Sequence, residues 1–255
     1  MNTRFQREFQ QKWTKYFPGA ELPVAYFYTD AVSAKDAKDS RDEEHCIIAA
    51  FDRVRRGHTF VYGKDSPGCK GWARSTGFSQ TLGPNFEYFL SCGLPGVVEG
   101  ERYKKSPELV KAYTAHNRAF EAPGKFMVIK RWDRLAAADE PFGVIFFATP
   151  DVLSGLFALA NYDRSDPNGV IAPMGSGCSQ IVSYVWHEAH SAEPRCVLGM
   201  FDVSARPQVP QGMLTFAMPI RRLEQMVANM DESFLITASW QKVRGRIEQA
   251  AAVKG

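Results

Sequence analysis

The sequence predicts a mixed α/β or α+β protein: a mixed sheet with flanking helices, in two related helix–strand halves. Three observations predict it. Of 255 residues, 45% are hydrophobic and 23% charged, the balance of an ordinary globular chain. Short runs dense in β-branched and aromatic residues alternate with stretches whose apolar residues recur at helical spacing. No fixed-period repeat occurs, and no stretch approaches the roughly 18 apolar residues of a membrane span. Residues 1–20 read as an N-terminal amphipathic helix. Residues 21–238 follow as an α/β domain, either single or in two sub-lobes meeting near residue 125, and 239–255 as a peripheral C-terminal helix.

Along the chain, Phe5, Phe9, Trp13 and Phe17 recur every four residues, so the first helix lays an aromatic stripe on the body of the protein. Leu22 to Tyr28 has the composition of a buried strand. Ala31 to Glu44, rich in Lys and Asp, reads as a surface loop in which Asp42 caps the next helix. That helix carries Ile47, Ala50, Phe51 and Val54 on one face, and Gly57 supplies its left-handed terminus. A strand over Thr59 to Tyr62 leads to the glycine-rich turn around Cys69, and a short helix from Trp72 ends near Gly77. Between Gly83 and Pro123 one helix stands out, with Ser106 as N-cap, Pro107 at its first position and Leu109, Val110 and Tyr113 as its apolar face.

From Lys125 the alternation quickens. Phe126 to Ile129 and Gly143 to Ala148 are strands, and Thr149-Pro150-Asp151 opens a helix through Val152, Leu153, Leu156 and Phe157. Next come Val170-Ile171, a helix on Ile181, Tyr184 and Val185, strands over Cys196 to Phe201 and Met213 to Met218, and a helix on Leu223, Met226, Val227 and Met230. Cys46 and Cys178 each open a helix that is followed by a strand, an internal echo of the kind a duplication leaves.

Charge excludes some partners. Lys and Arg number 31 against 28 Asp and Glu, a bias of +3 that points to neither nucleic acid nor an anionic membrane. Met1 to Phe9 carries charges where a secretory leader needs an apolar core, and the five cysteines are an odd, scattered set unlike a disulfide framework. A cytoplasmic protein with reduced thiols is expected. Cys46 lies in the first turn of its helix, Cys69 in Pro67-Gly68-Cys69-Lys70-Gly71, and Cys178 after Gly175-Ser176-Gly177. Helix-opening N–H groups favour thiolate over thiol, so all three are expected to have low pKa values, with the glycines leaving room for a bulky ligand. Three converging thiolates with one open position suit an iron–sulfur cluster or a soft metal, and Cys92 is the candidate fourth ligand. The spacing carries no C-x-x-C signature and, taken alone, favours buried or inert thiols over a metal site. Cys196, in an apolar run, reads as core.

Other motifs weigh less. His187 and His190 stand three apart instead of the four that place both imidazoles of a zinc-protease helix on one face. Gly175-Ser176-Gly177 starts like a dinucleotide fingerprint, but Gln180 stands where its third glycine belongs. Neither a phosphate-binding G-x-x-x-x-G-K-[ST] loop nor a G-x-S-x-G elbow occurs. Arg53, Arg55 and Arg56 read as a solvated helix end. Arg206, in the loop beyond a strand, is placed to bind a carboxylate or phosphate, or to brace that loop.

The order of these pieces resembles the domain of unknown function 169 family. The resemblance runs from about Leu22 to Asn229, through Pro23-Val-Ala-Tyr-Phe, the Cys46 helix, Phe60-Val61-Tyr62, Cys69-x-Gly71, Gly100-Glu101-Arg102-Tyr103, Ser106-Pro107-Glu108, the Cys178 helix and Gly199 to Arg206. It implies that Cys46, Cys69, Cys178 and Arg206 stand at family positions, and Cys92 does not; it implies no activity. Where the family's turn continues Gly-Gly or Gly-Ala, this chain has Gly71-Trp72 after Lys70, which predicts a bulkier and more basic site, with Lys70 favouring an anionic ligand or cluster. The leading expectation is an iron–sulfur or soft-metal site on Cys46, Cys69 and Cys178, with Arg206 near an open ligand position and redox or small-molecule chemistry. Its partners would be a small molecule or a redox protein. The alternative is a metal-free site in which the glycine turns and Arg206 hold an anion and the cysteines merely pack. A third, partner-binding reading rests on the N-terminal aromatic stripe.

Overall fold

A computed structural model describes residues 1–39, 46–117 and 119–252. Its helices are α1 (Thr3–Tyr16), α2 (Ala34–Asp39), α3 (Ala50–Arg55), α4 (Lys70–Ser75), α5 (Phe86–Phe89), α6 (Pro107–His116), α7 (Pro150–Leu159), α8 (Tyr184–Ala189), α9 (Ile220–Asn229) and α10 (Ala238–Ala252). Its strands are β1 (Val24–Thr29), β2 (Phe60–Gly63), β3 (Phe126–Arg131), β4 (Gly143–Ala148), β5 (Val170–Ile171), β6 (Cys196–Gly199) and β7 (Leu214–Pro219). They form one seven-stranded sheet in the order β2-β3-β1-β4-β7-β6-β5. All neighbours are antiparallel except β5 and β6, so the sheet is mixed, as expected.

The central strands are buried on both faces, which is why they read as continuous apolar runs. On β4, Val144 and Phe146 face a core that α1, α7, α9 and α10 cover, while Ile145 and Phe147 face a second core that includes Ile47, Ile48, Phe51, Val54, Ile181, Val182 and Val185. The aromatic stripe of α1 is core: Phe9, Trp13 and Phe17 are buried, with Trp13 and Phe17 stacked at 4.4 Å. Trp240 of α10 packs edge-on against Phe17 and donates its indole N–H to the Tyr16 carbonyl at 3.0 Å. The echo between the Cys46 and Cys178 units has a topological counterpart. Strands β1, β3 and β2 pair in that order outward from the centre, and β4, β7 and β6 repeat it on the other side.

Three local expectations need correction. Part of the supposed surface loop is helix α2, because Asp36 is buried against the Lys130 ammonium at 2.9 Å and fastens the segment to β3. The cap assigned to Asp42 lies outside the described residues. Arg55 is not a solvated helix end: its guanidinium lies over the Phe147 ring at 5.1 Å and pairs with Glu21 at 2.7 Å. The strand over Cys196 to Phe201 stops at Gly199, because Met200 turns into the left-handed region (φ 71°) and Phe201 is exposed.

Candidate functional site

Cys46, Cys69 and Cys178 all border one cavity of about 520 Å³ on the second face of the sheet. Each reaches it by a different route. Cys46 is half-buried in extended backbone (φ −61°, ψ 119°) just before the 3-10 turn Ile47–Ala49, which the buried Ile47 and Ile48 anchor. Cys69 caps α4, its sulfur accepting the Trp72 N–H at 3.3 Å. Cys178 is buried at the head of the π-helical stretch Ser179–Ser183 that runs on into α8. The wider π turn is a device frequent at functional sites. Ser183, on that stretch, donates its hydroxyl to the Ser75 carbonyl at 3.0 Å, which ties α4 and its cysteine to the helix of Cys178.

The low thiol pKa values expected from helix starts are not found at Cys46 or Cys178. Burial pushes both thiols up, Cys178 strongly, and Cys69 and Asp202 push both further in the same direction. Desolvation outweighs the helix-end N–H groups because the charged form has lost its water. The Gly177 gap is likewise taken: a Cβ there would lie 2.8 Å from Met200 Sδ, so this glycine permits packing, not ligand approach. Space beside Gly71 is open, with only Cys69 Sγ at 3.9 Å. Trp72 adds no bulk to the cavity; it is buried in the core edge-on to Phe51 and Tyr62.

The remaining sequence-stated candidates fall on both sides of the boundary. Lys70 lines the cavity. Arg206 does not: it opens the 3-10 turn Arg206–Gln208, donates from Nη2 to the Pro210 carbonyl at 3.4 Å, and buries Nη1 without a partner. Cys92 is exposed, its thiol directed at the Gly93 carbonyl at 3.4 Å, and it stands outside the lining. Cys196 is a core thiol 3.7 Å from Met226 Sδ, pushed up to about 12 by burial.

Several lining residues had no strong signal in the sequence. Asp202 is the most consequential. One carboxylate oxygen accepts the Gly177 N–H at 3.0 Å, and the other accepts from Tyr103 Oη at 3.2 Å and Ser204 Oγ at 2.8 Å. It is delivered by the left-handed Met200, whose N–H donates to Gln180 Oε1 at 2.6 Å. Gln180, the residue that spoils the dinucleotide fingerprint, is a buried clamp, since its Nε2 also donates to the Pro173 carbonyl at 2.9 Å. Asn85 and Arg102, the other non-glycine residues with positive φ among the described residues, each adjoin a lining residue as well. Backbone strain of this kind persists where surrounding structure over-determines it, often at functional sites.

As a donor set, three thiols with a carboxylate nearby are soft ligands. Among the described residues, no three or more His, Cys, Asp and Glu side chains are grouped closely enough to hold a metal ion.

The fold and site together define an α/β protein in which cysteines from three segments border a small-molecule-sized cavity. The chain belongs to the domain of unknown function 169 family, described as an uncharacterised ArCR, whose model matches residues 20–229. No curated protein and no solved structure matches it. No helix among the described residues is long and apolar enough to cross a membrane.

Proposed function

We propose that the protein binds an iron–sulfur cluster, or another soft-metal assembly, through Cys46, Cys69 and Cys178, beside a cavity that receives a small molecule. The observation that carries this reading is the meeting of three free thiols, from segments far apart in sequence, at one cavity. Bound there, a cluster supplies one-electron chemistry and, with three protein ligands, an open iron position. This chain's own residues would orient and shield: Asp202 holds the head of the Cys178 helix, and Ser183 holds α4 against it. The thiols of Cys46 and Cys178, raised by burial, must give up protons on loading. A cytoplasmic setting belongs to the proposal, since free thiols of this kind persist where the surroundings are reducing.

Anaerobic purification with iron and sulfide reconstitution, followed by a visible spectrum and metal analysis, tests it. The wild type is expected to show a thiolate-to-iron band that Cys46→Ser, Cys69→Ser and Cys178→Ser each diminish. A colourless, iron-free and zinc-free protein with intact thiols would sink the cluster. A second reading, favoured by the burial of Cys178, is a metal-free small-molecule site in which the thiols pack; it predicts that colourless result.

A further inference from the structure

We propose that the cavity receives an organic anion with an apolar body, its carboxylate or phosphate held by Lys70, Arg74 and Lys104. This rests on the cavity being the working site, as above, but not on the presence of a cluster.

Charge is the first argument. Lys70, Arg74 and Lys104 line the cavity, against Asp202 as the one carboxylate among the described lining residues. Asp202 is held by the Gly177 N–H, Tyr103 and Ser204, and its single negative charge offsets at most one of the three cations. Arg74 donates to the carbonyls of Gln80 at 3.2 Å and Asn117 at 2.9 Å, which occupies two of about five N–H donors. No carboxylate contributes to its charge state among the described residues, and burial lowers its pKa. An uncompensated guanidinium in a partly dry site is suited to bidentate carboxylate or phosphate. The Lys70 stem runs past Gly83, where a Cβ would lie 3.6 Å from its Cδ, and Lys104 Nζ sits 4.6 Å over the Tyr113 ring.

The second argument is the wall. Leu82, Phe86, Phe89 and Leu90 line the same cavity, and Leu82 and Phe89 are 36% and 38% exposed. Apolar side chains gathered beside cations offer burial to a hydrophobic body attached to the anion. The volume of about 520 Å³ is that of a small-molecule site and is far more than a lone inorganic ion requires.

The test is a calorimetric titration of the full-length, metal-free chain with phenylpropionate, phenylpropyl phosphate and the neutral phenylpropanol. At least one anion is expected to saturate below about 1 mM and to bind roughly tenfold tighter than the alcohol. The tighter anion distinguishes carboxylate from phosphate. Lys70→Gln and Arg74→Gln should each weaken anion binding by about tenfold and leave the alcohol unchanged. Because Arg74 also braces two loop carbonyls, the exposed Lys70 position carries the test if the Arg74 variant does not fold. No saturable binding, equal affinity for anion and alcohol, or an unchanged Lys70→Gln titration overturns the proposal. Failure of the wild-type chain to load iron, with its anion binding intact, counts against the cluster alone.

Discussion

Replacing Lys130 by Met removes the charge that fastens α2 to the sheet while keeping most of the side-chain stem. Lys130 is 4% exposed, and its ammonium lies 2.9 Å from both Asp36 and Asp139. Removing one partner of a buried ionic cluster leaves uncompensated charge and costs about 3–5 kcal/mol. With a urea m-value near 3 kcal/mol/M for a chain of this size, the unfolding midpoint should fall by roughly 1–1.7 M at neutral pH. The pH dependence carries the sharper test. Burial alone would push the Asp36 carboxyl up, but hydrogen bonds from Lys130 and Ser33 and the Lys130 charge outweigh it and hold it below its usual value. That stabilisation is present above the unfolded carboxyl value near 4 and is lost as pH falls through the lower folded value. In the variant, protonation of Asp36 instead relieves the burial, so the two stability curves should converge between pH 7 and 4. A midpoint shift under about 0.3 M, or a gap that stays constant with pH, would refute the reasoning.

Gly143→Ala would place a Cβ 2.4 Å from Tyr26 Cζ in the sheet centre, an overpacking expected to cost about 1–3 kcal/mol and to lower Tm; an unchanged melting curve would count against the tight β1·β4 contact. Native alkylation of the metal-free protein, read by mass spectrometry, should leave Cys196 and Cys178 unmodified under conditions that label the exposed Cys92, and early labelling of Cys178 would contradict its burial. Because Cys46 and Cys178 are raised thiols, cluster loading at fixed iron should increase as pH rises from about 6.5 to 8.5. Loading that is flat or falls over that range would argue against thiolate ligation.

The fold was legible where physics is local. The period of four in α1, the Ser106-Pro107 start of α6 and the two-sided apolar run of β4 each specify an element without help from distant residues. Helix α2 was not, because Ala34 to Asp39 has no apolar face and is held through Asp36 by long-range contacts to Lys130 and Thr59. The three cysteines were legible by their position at helix starts, but their sharing of one cavity depends on the sheet order and on the Ser183–Ser75 tie, which spacing does not encode. Helix position also misled: it predicts acidic thiols, and burial reverses the sign at Cys46 and Cys178. Arg74 and Asp202 carry no motif of their own and enter the site only through tertiary packing.

Maleimide labelling of Cys69, compared between reconstituted and metal-free protein with Cys92 as an internal reference, tests the thiol site most directly. Both thiols are exposed, so both are open to reagent in the metal-free chain. If Cys69 is a ligand, loading should suppress its labelling at least about tenfold while Cys92 labels at the same rate in both samples. Equal labelling of Cys69 with and without bound iron, or protection of Cys92 in its place, would contradict a site built on Cys46, Cys69 and Cys178.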